Sequence, residues 1–266
     1  MIKVSNLSAG YKGREVIKKA DFHVERATIL GLLGRNGCGK TTLFRCLNGL
    51  LKPFSGTIML GGNDIRGMRQ NEIARLAALV PQAQLAAFPL LVIDTILLGA
   101  GCHLRAWEAP KAEEKKRAVS LAEQMGIPHL LDKDFDRISG GEQQLALIAR
   151  ALMQDAPILF LDEPTSHLDF TNQHMILNIL RQLSVDKELT IVITTHDPNI
   201  VFGYCDEVMM IKDGIVLALG KTEKTLSEDN LQALYGNTIK LEKTDTGYVV
   251  MPVNSLTRSP EGKNSA

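Results

Sequence analysis

Gly34-Arg35-Asn36-Gly37-Cys38-Gly39-Lys40-Thr41 fills every fixed position of the pattern G-x-x-x-x-G-K-[ST]. An apolar run at 28–33 precedes it and a segment of helical pattern follows, so the stretch reads as a strand, a glycine-rich turn and a helix start. Glycines let such a turn curl until successive N–H groups face one anion, and the helix N-terminus adds partial positive charge. Phosphate is the ligand this chemistry suits. Lys40 then lies along the phosphate oxygens and the Thr41 hydroxyl ligates Mg²⁺, with residues 34–39 and Thr42 completing the cradle. Cys38 is open to two readings: a small residue that the loop tolerates, or a thiol made reactive by the helix start beside it.

Outward from the loop, further apolar runs of strand length at 158–161, 190–195 and 207–211 alternate with helical patterns. Continuous runs of this kind belong to strands covered on both faces, which makes the fold class α/β. More than a hundred residues separate the first run from the second, too many for one crossover. An inserted helical subdomain over about residues 83–155 is therefore expected within one domain covering 1–238. A hairpin around Thr246-Gly247 and a polar tail are expected over 239–266.

Of the 266 residues, 30 are Lys or Arg and 30 are Asp or Glu. Without a basic surplus the footprint of a nucleic-acid binder is missing. Cys38, Cys46, Cys102 and Cys205 form no C-x-x-C pair, which points away from disulfide frameworks and zinc and toward a reducing, cytosolic setting. The first ten residues lack the basic start and apolar core of a secretory signal. Residues 76–93 carry no formal charge, but Pro81 and Pro89 would break a spanning helix, Gln82 and Gln84 would sit in hydrocarbon, and Asp94 follows at once.

The run Ile158-Leu159-Phe160-Leu161 ends on Asp162-Glu163. Beside a phosphate loop, two such carboxylates divide the work: Asp162 holds the metal, directly or through water, and Glu163 takes the proton of an attacking water. Ser139-Gly140-Gly141 opens a helix with Leu145, Ile148, Ala149 and Leu152 on one face, either as a second anion-binding helix start or as an ordinary N-cap.

Taken in order, the phosphate loop, Gln82, Ser139 to Glu142, Asp162-Glu163, the turn from Ser166 to Asp169, and His196 resemble the ATP-binding subunits of ABC transporters, over about residues 3–226. The resemblance implies a P-loop NTPase core with a mainly parallel sheet, an N-terminal antiparallel β portion and an inserted α-helical subdomain. It implies ATP and Mg²⁺ as cofactors, Tyr11 stacked on adenine, Gln82 reaching metal and attacking water, and His196 on the γ-phosphate. Ser139, Gly140, Gly141 and Asp169 would serve the nucleotide of a second copy of the chain.

Transmembrane permease subunits would receive the stroke at the cytoplasmic face of the membrane, fed indirectly by a substrate-binding protein. The segment after Gln82, with Leu85, Phe88, Leu90, Leu91 and Val92, is a candidate docking surface; core packing is the alternative. The stretch 163–173 looks like subunits of iron-siderophore, cobalamin, haem or molybdate importers. A non-transport ATPase of the same fold, acting on nucleic acid or the ribosome, is the competing class; DNA-stimulated ATPase activity would mark it. Two departures stand out: Glu142 where the family carries Gln, expected to face away from phosphate, and His167 in place of the usual Ala.

Overall fold

The computed structural model describes residues 1–82, 90–105, 108–166, 168–245 and 247–253. The expectations placed on Leu85, Phe88, His167, Thr246 and residues 254–266 lie outside them. Strands β1 (Ile2–Tyr11) and β2 (Arg14–Val24) pair antiparallel, and β3 (Ile29–Leu33) runs into the glycine loop and α1 (Lys40–Leu47). β4 (Ser55–Leu60) adds to the other edge of β1 and β5 (Asn63–Asp64) to β4, which gives an antiparallel sheet in the order β2-β1-β4-β5. After α2 (Gln70–Ala74) and β6 (Ala77–Val80) come α3 (Val92–Leu97), α4 (Ala112–Gln124) and α5 (Gly140–Leu152), and then β7 (Ile158–Asp162). α6 (Phe170–Asp186), β8 (Thr190–Thr195), α7 (Pro198–Tyr204), β9 (Glu207–Lys212) and β10 (Ile215–Lys221) follow. The described chain ends with α8 (Thr222–Thr225), α9 (Glu228–Tyr235) and the antiparallel pair β11 (Ile239–Thr244) and β12 (Gly247–Pro252).

The main sheet runs β10-β9-β3-β8-β7-β6, parallel except at β10. Four of its strands, β3, β7, β8 and β9, are the apolar runs read from the sequence, continuous because alternate side chains enter cores on opposite faces. Leu159, Leu161, Ile191, Ile193, Val208 and Met210 face the helices, where Leu145, Ile148, Leu177 and Leu180 meet them. Their neighbours Leu30, Leu32, Phe160, Val192, Met209 and Ile211 face α1 and the antiparallel sheet. With both faces covered, each burial contributes roughly 1.5–3 kcal/mol, and polar residues are excluded until the strands end. Phe44 of α1 packs on Phe160 with ring centroids 5.3 Å apart.

Register then brings distant residues to one place. Asp162 is opposite Thr194, and Leu33 is opposite Thr195. The strand ends leading to the glycine loop, the acidic pair and His196 therefore lie side by side at the carboxyl end of the sheet, where open α/β sheets hold their ligands.

Of the two readings offered for the segment after Gln82, docking is overturned at Val92 and core packing holds there. Val92 is fully buried in the core with Ile96 and Leu121, while Leu90 and Leu91 are half-buried. The Leu90 carbonyl accepts a hydrogen bond from the Phe135 N–H at 2.8 Å. Val92 is core because it begins the face of α3 that packs inward. Among the described residues no helix is long and apolar enough to cross a membrane.

Candidate active site

The glycine loop is shaped by what approaches it. A Cβ on Gly34 would lie 2.5 Å from the Cys38 sulfur and 2.7 Å from the carbonyl oxygen of Ile211 on β9, so no side chain fits there. Gly39 caps α1 with φ 115°, a conformation open to glycine, and no side chain caps its amides. The first N–H groups of α1 are thus left without a side-chain partner and are available to an anion. Between the two glycines the Cys38 N–H closes on the Arg35 carbonyl at 3.2 Å, with Arg35 and Asn36 exposed on the crown.

Lys40 is only 6% exposed, and a buried ammonium needs partners. It donates to the Gly34 carbonyl at 2.7 Å and lies 3.7 Å from Glu163 Oε1. A cavity of about 300 Å³ opens in front of it, lined by Asn36, Gly37, Lys40, Thr41, Gln82 and Glu163, with Thr42 beside them. A second cavity of about 440 Å³ shares Asn36, Gln82 and Glu163 and continues to Ser166 and His196. Tyr11 sits apart, with Gly37 and Cys38, on the wall of a third cavity of about 510 Å³, and its hydroxyl accepts from Arg45 Nη1 at 3.1 Å.

The two carboxylates are held differently. Asp162 is buried: the Thr41 hydroxyl donates to its Oδ2 at 3.2 Å and the Thr194 hydroxyl to its Oδ1 at 2.7 Å. Glu163 has a left-handed backbone, φ 47°, which costs a side chain of this kind about 1–3 kcal/mol. Hydrogen bonds on both its peptide groups offset that strain. Its N–H donates to the Thr194 hydroxyl at 2.7 Å, and its carbonyl accepts from the Ser166 hydroxyl at 2.9 Å.

The turn aims the Glu163 carboxylate into the cavities. There Gln82 Nε2 donates to Oε2 at 3.2 Å, and His196 Nδ1 stands 3.6 Å from the same oxygen. So placed, the carboxylate can accept a proton from a water in front of Lys40. Among the described residues no cluster of three or more His, Cys, Asp or Glu side chains could hold a metal. One carboxylate and one hydroxyl, Asp162 and Thr41, is nevertheless a donor set that fits Mg²⁺, a cation whose shell waters and substrate phosphates complete.

Thr194 was not among the residues singled out from the sequence, yet it joins both carboxylate residues and is fully buried. The available signal was a pair of threonines closing an apolar strand next to His196, since a hydroxyl in a covered strand requires a partner.

Ser139, Gly140, Gly141 and Asp169 are brought together elsewhere, and none of them lines the two phosphate-side cavities. Ser139 is the N-cap of α5 and Asp169 that of α6. The position a Cβ would take on Gly141 is 3.1 Å from Cγ of Asn172, whose amide donates to Asp169 at 2.7 Å. Glu142 folds back on the cap: its carboxylate accepts from the Ser139 hydroxyl at 2.7 Å and the Ser139 N–H at 2.8 Å. Those bonds hold its pKa below the usual carboxylate range, the hydroxyl first.

Cys38 is buried, and desolvation raises its pKa above the ordinary thiol value, against the opposing charge of Lys40 and nearby backbone N–H groups. The neutral thiol is a poor nucleophile. Maleimide at pH 7.5 is therefore expected to label Cys38 at less than about one tenth of the rate of an exposed thiol, read by mass spectrometry of the folded protein. Rapid labelling with loss of ATP hydrolysis would reverse this reading.

A family model described as ABC transporter matches residues 17–166. The chain is 37% identical over 251 residues to an iron chelatin transport ATP-binding protein of Helicobacter pylori, covering 94% of this chain and 98% of that one. Among solved structures it resembles a metal-chelate type ABC transporter in an inward-facing conformation, with TM-score 0.83, 29% identity, and coverage of 96% of this chain and 98% of that chain. It also resembles a bacterial ABC transporter cassette solved as a dimer, with TM-score 0.74, 27% identity, and coverage of 84% and 99%. With the phosphate loop, the acidic strand end and these likenesses together, the chain belongs to the ABC transporter family, as an ATP-binding subunit whose ATP hydrolysis is coupled to transport.

Proposed function

We propose that this subunit powers the import of a metal chelate of the iron-siderophore kind through separate membrane subunits, and that two copies of it close on two ATP molecules. The substrate class rests on what the relatives named above are said to carry. The pairing rests on one observation: the Ser139 turn and Asp169 are exposed helix starts that face none of the chain's own phosphate-side cavities. A second copy supplies the missing wall; the cassette named above was itself solved as a dimer. The subunit then sits at the cytoplasmic face of the membrane, and a substrate-binding protein delivers the chelate.

Within each site Tyr11 stacks on the adenine, residues 34–39 and Thr42 wrap the phosphates, and Lys40 shares its charge between Glu163 and the γ-phosphate. Thr41, Asp162 and Gln82 would hold Mg²⁺, which would supply charge neutralisation at the phosphates. Glu163 takes the proton of the attacking water, Gln82 orients that water, and His196 donates to the γ-phosphate. The Ser139 hydroxyl, now given to Glu142, turns to the phosphate of the second copy as the halves close. Glu142 stays on the Ser139 N–H, away from the anion.

Reconstitution in liposomes with the permease and its binding protein tests the substrate. ATP-dependent uptake of a ferric chelate, at several times the rate without ATP, is the expected result. Uptake of molybdate in its place, or of neither, would overturn the substrate class and leave the ATPase reading standing.

A further inference from the structure

The segment after β10 has no part in the chemistry above, yet it grips the stretch that carries His196 at three points. Tyr235, the last residue of α9, donates its hydroxyl to the His196 carbonyl at 2.8 Å. Asn199 exchanges two hydrogen bonds with the backbone of Val250 on β12, accepting from its N–H at 2.8 Å and donating to its carbonyl at 3.2 Å. Phe202 stacks on Tyr248 with ring centroids 5.6 Å apart. Asn199 and Phe202 lie three apart in α7 and so share one side of it, while His196 precedes the helix cap at Asp197.

The grip is anchored at its own base. Leu231 and Leu234 of α9 are buried in the core, and Lys212 of β9 donates to the Ala233 carbonyl at 2.7 Å, so α9 is fixed to the main sheet. Tyr235 is half-buried, and burial pushes its pKa well up, aided by the charge of Asp197 and opposed by Arg35. Its phenol is a donor throughout the working pH range. Lys212 ties α9 to β9, which pairs with β3, the strand that runs into the phosphate loop.

We infer that residues 227–245 and 247–253 form a brace that fixes the His196 segment relative to the phosphate loop, with Tyr235 as its positioning residue. The physical reason is that the His196 imidazole is mostly exposed, with 60% of the side chain accessible, so its own packing does not set its direction. The peptide that carries the ring must be held from behind. The donor on the His196 carbonyl fixes that peptide plane, and the hairpin contacts on Asn199 and Phe202 fix the helix that continues from it. The inference rests on the role given to His196 above.

The test uses the full chain with Mg-ATP. Tyr235→Phe keeps the ring and removes the donor, and is expected to lower kcat about fivefold, one hydrogen bond's worth, with KM for ATP within about twofold of the parent. The His196 ring resonances should shift or broaden in NMR spectra, while the melting temperature changes little. Tyr248→Ala, which loosens the far end of the brace, should lower kcat in the same way.

His196→Ala sets the reference, and adding Tyr235→Phe to it should cost nothing more, because the hydroxyl acts through His196. A parental kcat in Tyr235→Phe while His196→Ala is slow overturns the brace alone. So does a full second loss in the double variant. Parental turnover in His196→Ala removes the role of His196 and the brace with it.

Discussion

Glu163→Gln will bind ATP and fail to turn it over. The amide is isosteric with the carboxylate and keeps an oxygen for the Gln82 donor now at 3.2 Å, but it has no basicity to take the proton from water. The backbone hydrogen bonds to Thr194 and Ser166 that hold the left-handed turn do not involve the side chain, so the local fold survives. Removing a positioned general base is expected to lower kcat by at least about 100-fold.

Stalled with ATP bound, the variant should also persist as a closed pair. Light scattering will then report a mass near twice the monomer in ATP and the monomer in ADP. Steady-state hydrolysis at the parental rate would remove Glu163 from the role of base. A chain that stays monomeric in ATP would remove the second copy from the site.

Thr194→Val is expected to cost nearly as much, for a reason local to the sheet. Valine matches the shape of threonine but lacks the hydroxyl that donates to Asp162 Oδ1 and accepts from the Glu163 N–H, each at 2.7 Å. The substitution leaves a buried carboxylate short of a donor and a backbone N–H without a partner, at about 1–3 kcal/mol each. Stability to urea should fall by roughly 2–4 kcal/mol.

Turnover in Thr194→Val should fall by about 10–100-fold, because the Glu163 turn loses the hydroxyl that holds its N–H. The Mg²⁺ concentration for half-maximal activity should rise, since Asp162 is no longer fixed. Thr194→Ser, which restores the hydroxyl, should recover most of both losses. A valine variant as stable and active as the parent would show that the link between the carboxylates has no consequence.

Both variants act on residues within hydrogen-bond reach of one another, but only one of the two was marked by the sequence. Glu163 follows an apolar strand and a second carboxylate, and that local arrangement of consecutive residues is unusual enough to be noticed. Thr194 is 31 residues away from Glu163, and its partners are fixed by the register between β7 and β8. Apolar alternation fixes which residues face the core but not which residue stands opposite which. Tyr235 and His196 are 39 residues apart and meet through the docking of α9, for which the sequence offers only a short amphipathic pattern. Val92 stayed open between docking and core for the same reason: an uncharged run looks alike whether it is covered by helices or left for a partner.

The sequence by itself determined the phosphate loop, the strands that lead to it and to Asp162-Glu163, and the helix start at Ser139. Each of these is written in neighbouring residues, where glycine, charge and apolar period act over a few positions. Only the tertiary structure decided that Thr194 ties the carboxylates together and holds the Glu163 turn, and that the C-terminal hairpin grips α7. Those features depend on register and docking between segments, which are settled when the whole core packs and leave no local mark on the chain.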